Sequence, residues 1–223
     1  MKKHWWKILT VVLLLYSIVG GLLMDVPRLH ILNESIRNTF YHVPMWLGMM
    51  ILLLTSAVFS VLYLKKPLQS YDIAAYEFAK VGILFGILGI VTGMIWANFT
   101  WGSPWSGDPK QNNAAIALLI YFAYTLLRGS LKDDQQRGRI GAVYNVFAFA
   151  TLIPLLYILP GMTDSLHPGS GGNAAFGDID LDNRLRMVFY PAVLGWTLLG
   201  VWLATLGIRM QKISYQRELS ELS

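Results

Sequence analysis

Six long apolar runs, none holding an Asp, Glu, Lys, Arg or His, constrain this chain more than any other feature. They cover 8–24, 43–64, 81–99, 114–127, 140–160 and 187–208. A helix needs about 20 apolar residues to cross the bilayer core, and in lipid only a helix or a closed barrel satisfies its backbone internally. Five runs meet that length within tolerance. The fourth meets it by borrowing Gln111, Asn112 and Asn113, which gives a span over 112–127. Charged residues make up only 14 % of the 223, against about 25 % in soluble domains. The sequence therefore predicts an all-α integral membrane bundle of six transmembrane helices, one domain over 1–223. The first run, after Lys2, Lys3 and Lys7, also has the outline of a signal peptide. Its length and the lack of an A-x-A site favour an uncleaved span.

The basic residues are unevenly placed. With six spans, the N-terminus, the loops 65–80 and 128–139 and the C-terminus share one side. They hold Lys2, Lys3, Lys7, Lys65, Lys66, Lys80, Arg128, Lys132, Arg137, Arg139, Arg209, Lys212 and Arg217. The other side holds Arg28, Arg37, Lys110, Arg184 and Arg186. The basic-rich side is cytoplasmic, so both termini are expected inside, and segments 25–42, 100–113 and 161–186 outside. This asymmetry accounts for the net charge of +5 without nucleic acid. Pro44 fits the first turn of span two, Pro160 closes span five, and Pro154 is placed to kink it. Gly82, Gly86, Gly89 and Gly93 share one face of span three and admit a close neighbour, most simply another helix of the bundle.

Several chemistries are excluded. The chain has no Cys, hence no disulfide, thiolate metal site or C-x-x-C-H haem attachment. The runs hold no ionisable group for a proton or ion relay. There is no G-x-x-x-x-G-K-[ST], G-x-S-x-G or H-E-x-x-H motif. Function is expected in the outward segments or in a partner. Those segments hold His30, His42 and His167, whereas His4 sits beside Trp5 and Trp6 at the inner interface. An imidazole at a bilayer rim is a good axial ligand for haem iron. Taken singly, each histidine reads more simply as a polar loop residue; two on one face bring the ligand reading level with it. Between them in sequence lies Thr100-Trp101-Gly102-Ser103-Pro104-Trp105-Ser106-Gly107-Asp108-Pro109-Lys110, a turn-rich loop by its Gly and Pro content. Its tryptophans suit either the face of a macrocycle or an interfacial aromatic belt.

This loop resembles the tryptophan-rich WWD segment of a haem-handling superfamily that includes CcmC, CcmF and CcsA. Six spans in a short chain, Tyr41-His42-Val43-Pro44 opening span two, and Ser165-Leu166-His167 in the last outward segment resemble the CcmC family most closely. The resemblance covers nearly the whole chain. It implies non-covalent haem b at the outer face of the bacterial cytoplasmic (inner) membrane, with His42 and His167 as axial ligands. It implies that Trp101, Trp105 and Asp108 face the haem. Lys110 stands where the family has a basic residue, placed to neutralise a propionate, as Arg184 or Arg186 would be. Pro104 and Gly107 replace tryptophans common in the family, so a two-ring platform is expected. The implied function is presentation of haem to a periplasmic CcmE-like chaperone for c-type cytochrome biogenesis. The implied partners are CcmA/CcmB-like transporter components and a small CcmD-like membrane protein.

Other readings remain: a CcsA-like cytochrome c synthase subunit, a zinc metalloenzyme using His30, His42 and His167, and a permease for another cargo. The alternation Asp178, Asp180, Asp182 resembles the start of a calcium loop. Asn183 and Phe189 stand where such a loop needs Gly and Glu, so these acids are read as solvating the 169–172 stretch.

Overall fold

The computed structural model describes residues 4–27, 32–167 and 181–221. Lys2, Lys3, Arg28, His30, the 169–172 stretch, Asp178 and Asp180 lie outside the described residues. Every described element is helical: α1 (Trp5–Leu23), a 3-10 helix (Asn33–Phe40), α2 (His42–Lys65), α3 (Gln69–Trp101), α4 (Pro109–Ser130), α5 (Asp134–Gly161) and α6 (Asn183–Glu221). The six numbered helices are each long and apolar enough to cross a membrane, so the chain has the expected all-α, six-helix architecture. α2 is the hub, packed on α3, α5 and α6, while α1 rests against α6 and is otherwise apolar and exposed.

Helix ends follow local chemistry. Gly102, at φ +76°, stops α3 in the left-handed region. Asp108 caps α4 by accepting the Lys110 N–H, with Pro109 as first helical residue. Asp133 caps α5 by accepting the Gln136 N–H. At Pro154 the helix loses a donor and widens into a π turn over Pro154–Ile158.

The glycine face of α3 is filled chiefly by side chains of α2, which lies close against it. A Cβ at Gly82 would lie 2.5 Å from Leu53 Cδ2, and one at Gly86 would lie 2.9 Å from Met49 Sδ. At Gly89 it would meet Trp46 Cε2 at 2.8 Å, and at Gly93 it would meet His42 Cε1 at 2.7 Å. A polar link supports the same packing: Asn145 Nδ2 donates to Ser56 Oγ (2.7 Å) and Ser60 Oγ (2.8 Å), and Ser56 Oγ donates to the Ala75 carbonyl (2.5 Å).

α3 begins at Gln69, well before its apolar run, so most of the expected 65–80 loop is helix. This early stretch of α3 carries a charge pair that the linear sequence conceals. Arg128 of α4 grips Asp72 of α3 with Nη1–Oδ1 at 2.7 Å and Nη2–Oδ2 at 2.8 Å. Both side chains are 6 % exposed, and the guanidinium rests over Tyr76 and Tyr124. The pair turns two charges into a buried bidentate contact that holds the polar start of α3 against α4. Breaking a buried pair strands the other charge, at a cost of about 3–5 kcal/mol. Asp72→Ala or Arg128→Ala is expected to lower stability by that order, read as denaturant midpoint of the detergent-solubilised protein. The double variant Asp72→Leu/Arg128→Met is expected to lose less than either single change.

Candidate functional site

α2, α3, α4 and α5 meet around a cavity of about 300 Å3 at one end of the bundle. His42 and His167 both line it, joined by three tryptophans, Trp46, Trp96 and Trp105. Below them the wall is apolar, with Leu47, Met50 and Ile90, while Lys110, Gln111 and Asn38 add polar groups.

His42 is the first residue of α2. Two positions on, Pro44 lacks an N–H where the helix has no acceptor to offer. The ring sits over Gly93, edge-on to Trp46 with centroids 6.3 Å apart. Its Nδ1 lies 3.1 Å from Thr92 Oγ1. The Thr92 hydroxyl points its one proton at the Leu88 carbonyl (2.8 Å) and the Gly89 carbonyl (3.1 Å), which assigns its oxygen as the acceptor from His42 Nδ1–H. That tautomer puts the ring's lone pair on Nε2.

His167 is set by Asp108. Its Nδ1 lies 2.9 Å from Asp108 Oδ1, in a carboxylate whose side chain is 1 % exposed. The same carboxylate accepts from Ser165 Oγ (2.9 Å), the Leu166 N–H (2.7 Å) and the Lys110 N–H (2.9 Å). Burial pushes the Asp108 pKa up. The Leu166 N–H, the neighbouring His167 imidazole, the Ser165 hydroxyl and the Lys110 N–H outweigh it and hold the carboxyl below its ordinary value. An ionised carboxylate only accepts, so Nδ1 carries the His167 proton and Nε2 the lone pair. Burial, opposed by Asp108 and aided by Lys110, lowers the His167 pKa and keeps the ring neutral, the form that ligates a metal.

The remaining expected residues divide. Trp105 lines the cavity, presented by a loop that is pinned to the start of α4. There Gln111 accepts the Ser106 N–H at 3.0 Å and donates to the Pro104 carbonyl at 3.2 Å, and Trp105 Nε1 donates to Asn112 at 3.2 Å. Lys110 also lines it, but from the first turn of α4 rather than from a loop. Trp101 is the last residue of α3 and stands behind the cavity wall, its ring 4.8 Å from His167 and 5.2 Å from Trp96. Asp108 does not line the cavity; its oxygens are spent on the His167 segment and the α4 cap. Arg184 pairs with Asp182 and Arg186 reaches Asn183, and neither is among the cavity-lining residues. Asp182 likewise accepts the Leu185 N–H at the start of α6. Among the described residues no three potential metal ligands cluster, and His30, third of the zinc set, lies outside them.

Trp46, Trp96 and Thr92 escaped the sequence reading. The signal was present for the tryptophans: Trp46 is one turn from His42, and Trp96 continues the Gly89–Gly93 face of α3. They restore the rings that Pro104 and Gly107 remove from the loop.

The family model described as heme exporter protein C matches residues 1–222. The chain is 24 % identical to the heme exporter protein C of Haemophilus influenzae over 206 residues, 91 % of this chain and 81 % of that one. It is 27 % identical to that of Paracoccus denitrificans over 194 residues, 85 % and 78 % of the two chains. Over 93 residues it is 42 % identical to the cytochrome c biogenesis protein CcsA of Pelargonium hortorum, covering 41 % of this chain and 29 % of that protein. The chain thus spans less than a third of that relative's length.

Hydrogen bonds to charged groups contribute about 1.5–3 kcal/mol. Asp108→Ala is therefore expected to speed hydrogen exchange at the Leu166 amide by about 10- to 150-fold. In the parent protein that protection belongs to the ionised carboxylate. It is present above the ordinary Asp pKa and is lost as pH falls through the lowered folded value. Protection that is unchanged in acid removes Asp108 as the anchor.

Proposed function

This chain belongs to the heme exporter protein C family, and on that ground we propose that it holds haem b non-covalently between His42 and His167 and presents it for c-type cytochrome biogenesis. A role in haem handling for cytochrome c assembly is the family's reading. The finer statement rests on one observation. Two histidines from opposite ends of the sequence line one cavity, each with Nδ1–H engaged and its lone pair on Nε2.

The donor set fits the cargo. Two neutral imidazoles suit low-spin iron, and engaged Nδ1 protons fix ring orientation and raise basicity. Trp46, Trp96 and Trp105 offer flat apolar walls, with Trp101 buttressing His167. Lys110 is the basic residue on the cavity wall suited to a propionate, and Gln111 orders the loop beside it. The basic side of the chain argues that this end faces the periplasm and that both termini are cytoplasmic. The recipient is then a periplasmic CcmE-like haem chaperone. CcmA/CcmB-like transporter components and a CcmD-like small membrane protein are the partners. The partial likeness to CcsA favours a second reading, a cytochrome c synthase subunit, although that match covers under half of this chain.

Purified protein loaded with haem is expected to show a six-coordinate, low-spin spectrum with a strong Soret band. His42→Ala or His167→Ala changes it, and His30→Ala does not. Loss of the spectrum on His30→Ala alone would overturn the ligand assignment. Trp105→Ala is expected to lower haem retention or transfer with the bundle still folded; unaltered haem content and transfer would reject the aromatic wall. Because the chain lacks cysteine, sidedness is directly testable. Ser106→Cys is expected to react with an impermeant maleimide from the periplasm, and Ser214→Cys only after the membrane is opened.

A further inference from the structure

The two imidazoles of the cavity are held by chemically unequal partners. His167 Nδ1–H donates to an ionised carboxylate at 2.9 Å, itself fixed by Ser165 Oγ, Leu166 N–H and Lys110 N–H. His42 Nδ1–H donates to a neutral hydroxyl at 3.1 Å. That hydroxyl has the Leu88 and Gly89 carbonyls as acceptors for its own proton, at 2.8 and 3.1 Å. A proton shared with an anion leaves more electron density on the ring than one shared with an alcohol, so Nε2 of His167 is the stronger donor. The mountings differ as well. His42 stands on α2, wedged between Gly93 and Trp46, and cannot follow a departing ligand. His167 lies on the segment after α5, beyond the last helical turn, with its Nδ1 bonded to Asp108.

We propose that Thr92 and Asp108 are positioning residues that make the two histidines unequal iron donors, so that His42 is the ligand given up first on delivery and His167 the one kept. The inference rests on the haem reading above. The exchange balances simply. The bond to His42 Nε2 breaks, its electron pair stays on nitrogen, and an incoming donor supplies a pair in its place. No electron is transferred and no proton leaves Nδ1.

The test uses the full-length, haem-loaded protein in detergent, reduced and mixed with carbon monoxide as the incoming ligand. Removing an outer partner of a ligating histidine typically weakens the site by about 10- to 100-fold. Thr92→Val is expected to speed carbon monoxide binding by that order, and Thr92→Ser to restore the parent rate. The Fe–CO stretching frequency, set by the imidazole opposite the carbon monoxide, is expected to move in Asp108→Asn and not in Thr92→Val. The reverse pattern, or an equal response of the frequency to both changes, overturns the proposal. A second readout needs no haem. In protein labelled with 15N-histidine, Thr92→Val is expected to alter the Nδ1–H signal of His42 alone and Asp108→Asn that of His167 alone; crossed effects overturn the assignment of partners. A parent protein without a two-imidazole spectrum overturns the haem reading itself, whereas a two-imidazole spectrum with the reversed dependence overturns only this inference.

Discussion

The contact between α2 and the glycine face of α3 fixes everything above it. The two helices run antiparallel, and Leu53, Met49, Trp46 and His42 descend one as Gly82, Gly86, Gly89 and Gly93 climb the other. Both series advance by four, three and four residues, so one helical stripe is read against another. Inside a membrane lipid is as apolar as leucine, and helices associate through close packing instead of escape from water. Four missing side chains let α2 lie directly on α3 and set its register. His42 is the last rung of this ladder. Its position is thus a consequence of core packing, and any slip of α2 along α3 would move the imidazole with it.

His167 is held by the opposite physics. It stands past the end of α5, where no ladder reaches, and its segment is ordered by hydrogen bonds to one carboxylate. Asp108 does two things at once. It caps α4, where the helix N-terminus favours a negative charge, and it accepts from Ser165, Leu166 and His167. The loop from Gly102 to Asp108 is in turn pinned by Gln111 and Asn112. The outward end therefore has one wall built by packing and one built by polar contacts. Polar anchoring suits a rim near water, where an ionised group is less costly than at mid-bilayer.

What the linear sequence shows follows from the range of each force. Apolar runs report solvent quality residue by residue, so six helices were legible. His42 and His167 were legible because their flanking motifs are local. Asp72 and Arg128 were not: each looks like a loop charge until the fold brings them to 2.7 Å. That pair lies in the part of α3 before residue 81, where the hydropathy boundary marks the edge of the apolar stretch but not of the helix. Asp108 stood out in the sequence, but an acid beside a tryptophan loop gives no sign in one dimension that its partner is His167. Trp46 and Trp96 lay outside the loop that drew notice, although the four-residue step from His42 and the continuation of the glycine face pointed to both.

The placement of Asp108 also resolves an electrostatic conflict. A haem edge carries carboxylates, and an acid facing it would repel them. With its oxygens turned to four N–H and O–H donors, Asp108 presents little negative potential to the cavity, while its charge strengthens the imidazole on the far side of the bond. Lys110, two residues on in the first helical turn of α4, meets the cavity instead. The helix N-terminus adds partial positive charge in the same place. Anionic edges are thus drawn to the start of α4, and the apolar ring is left to Trp46, Leu47, Met50 and Ile90 below. A flat amphiphile entering this cavity has one favourable orientation, with its polar edge toward the rim. A single turn of sequence, Asp108 to Lys110, separates the charge that holds His167 from the charge that lines the cavity.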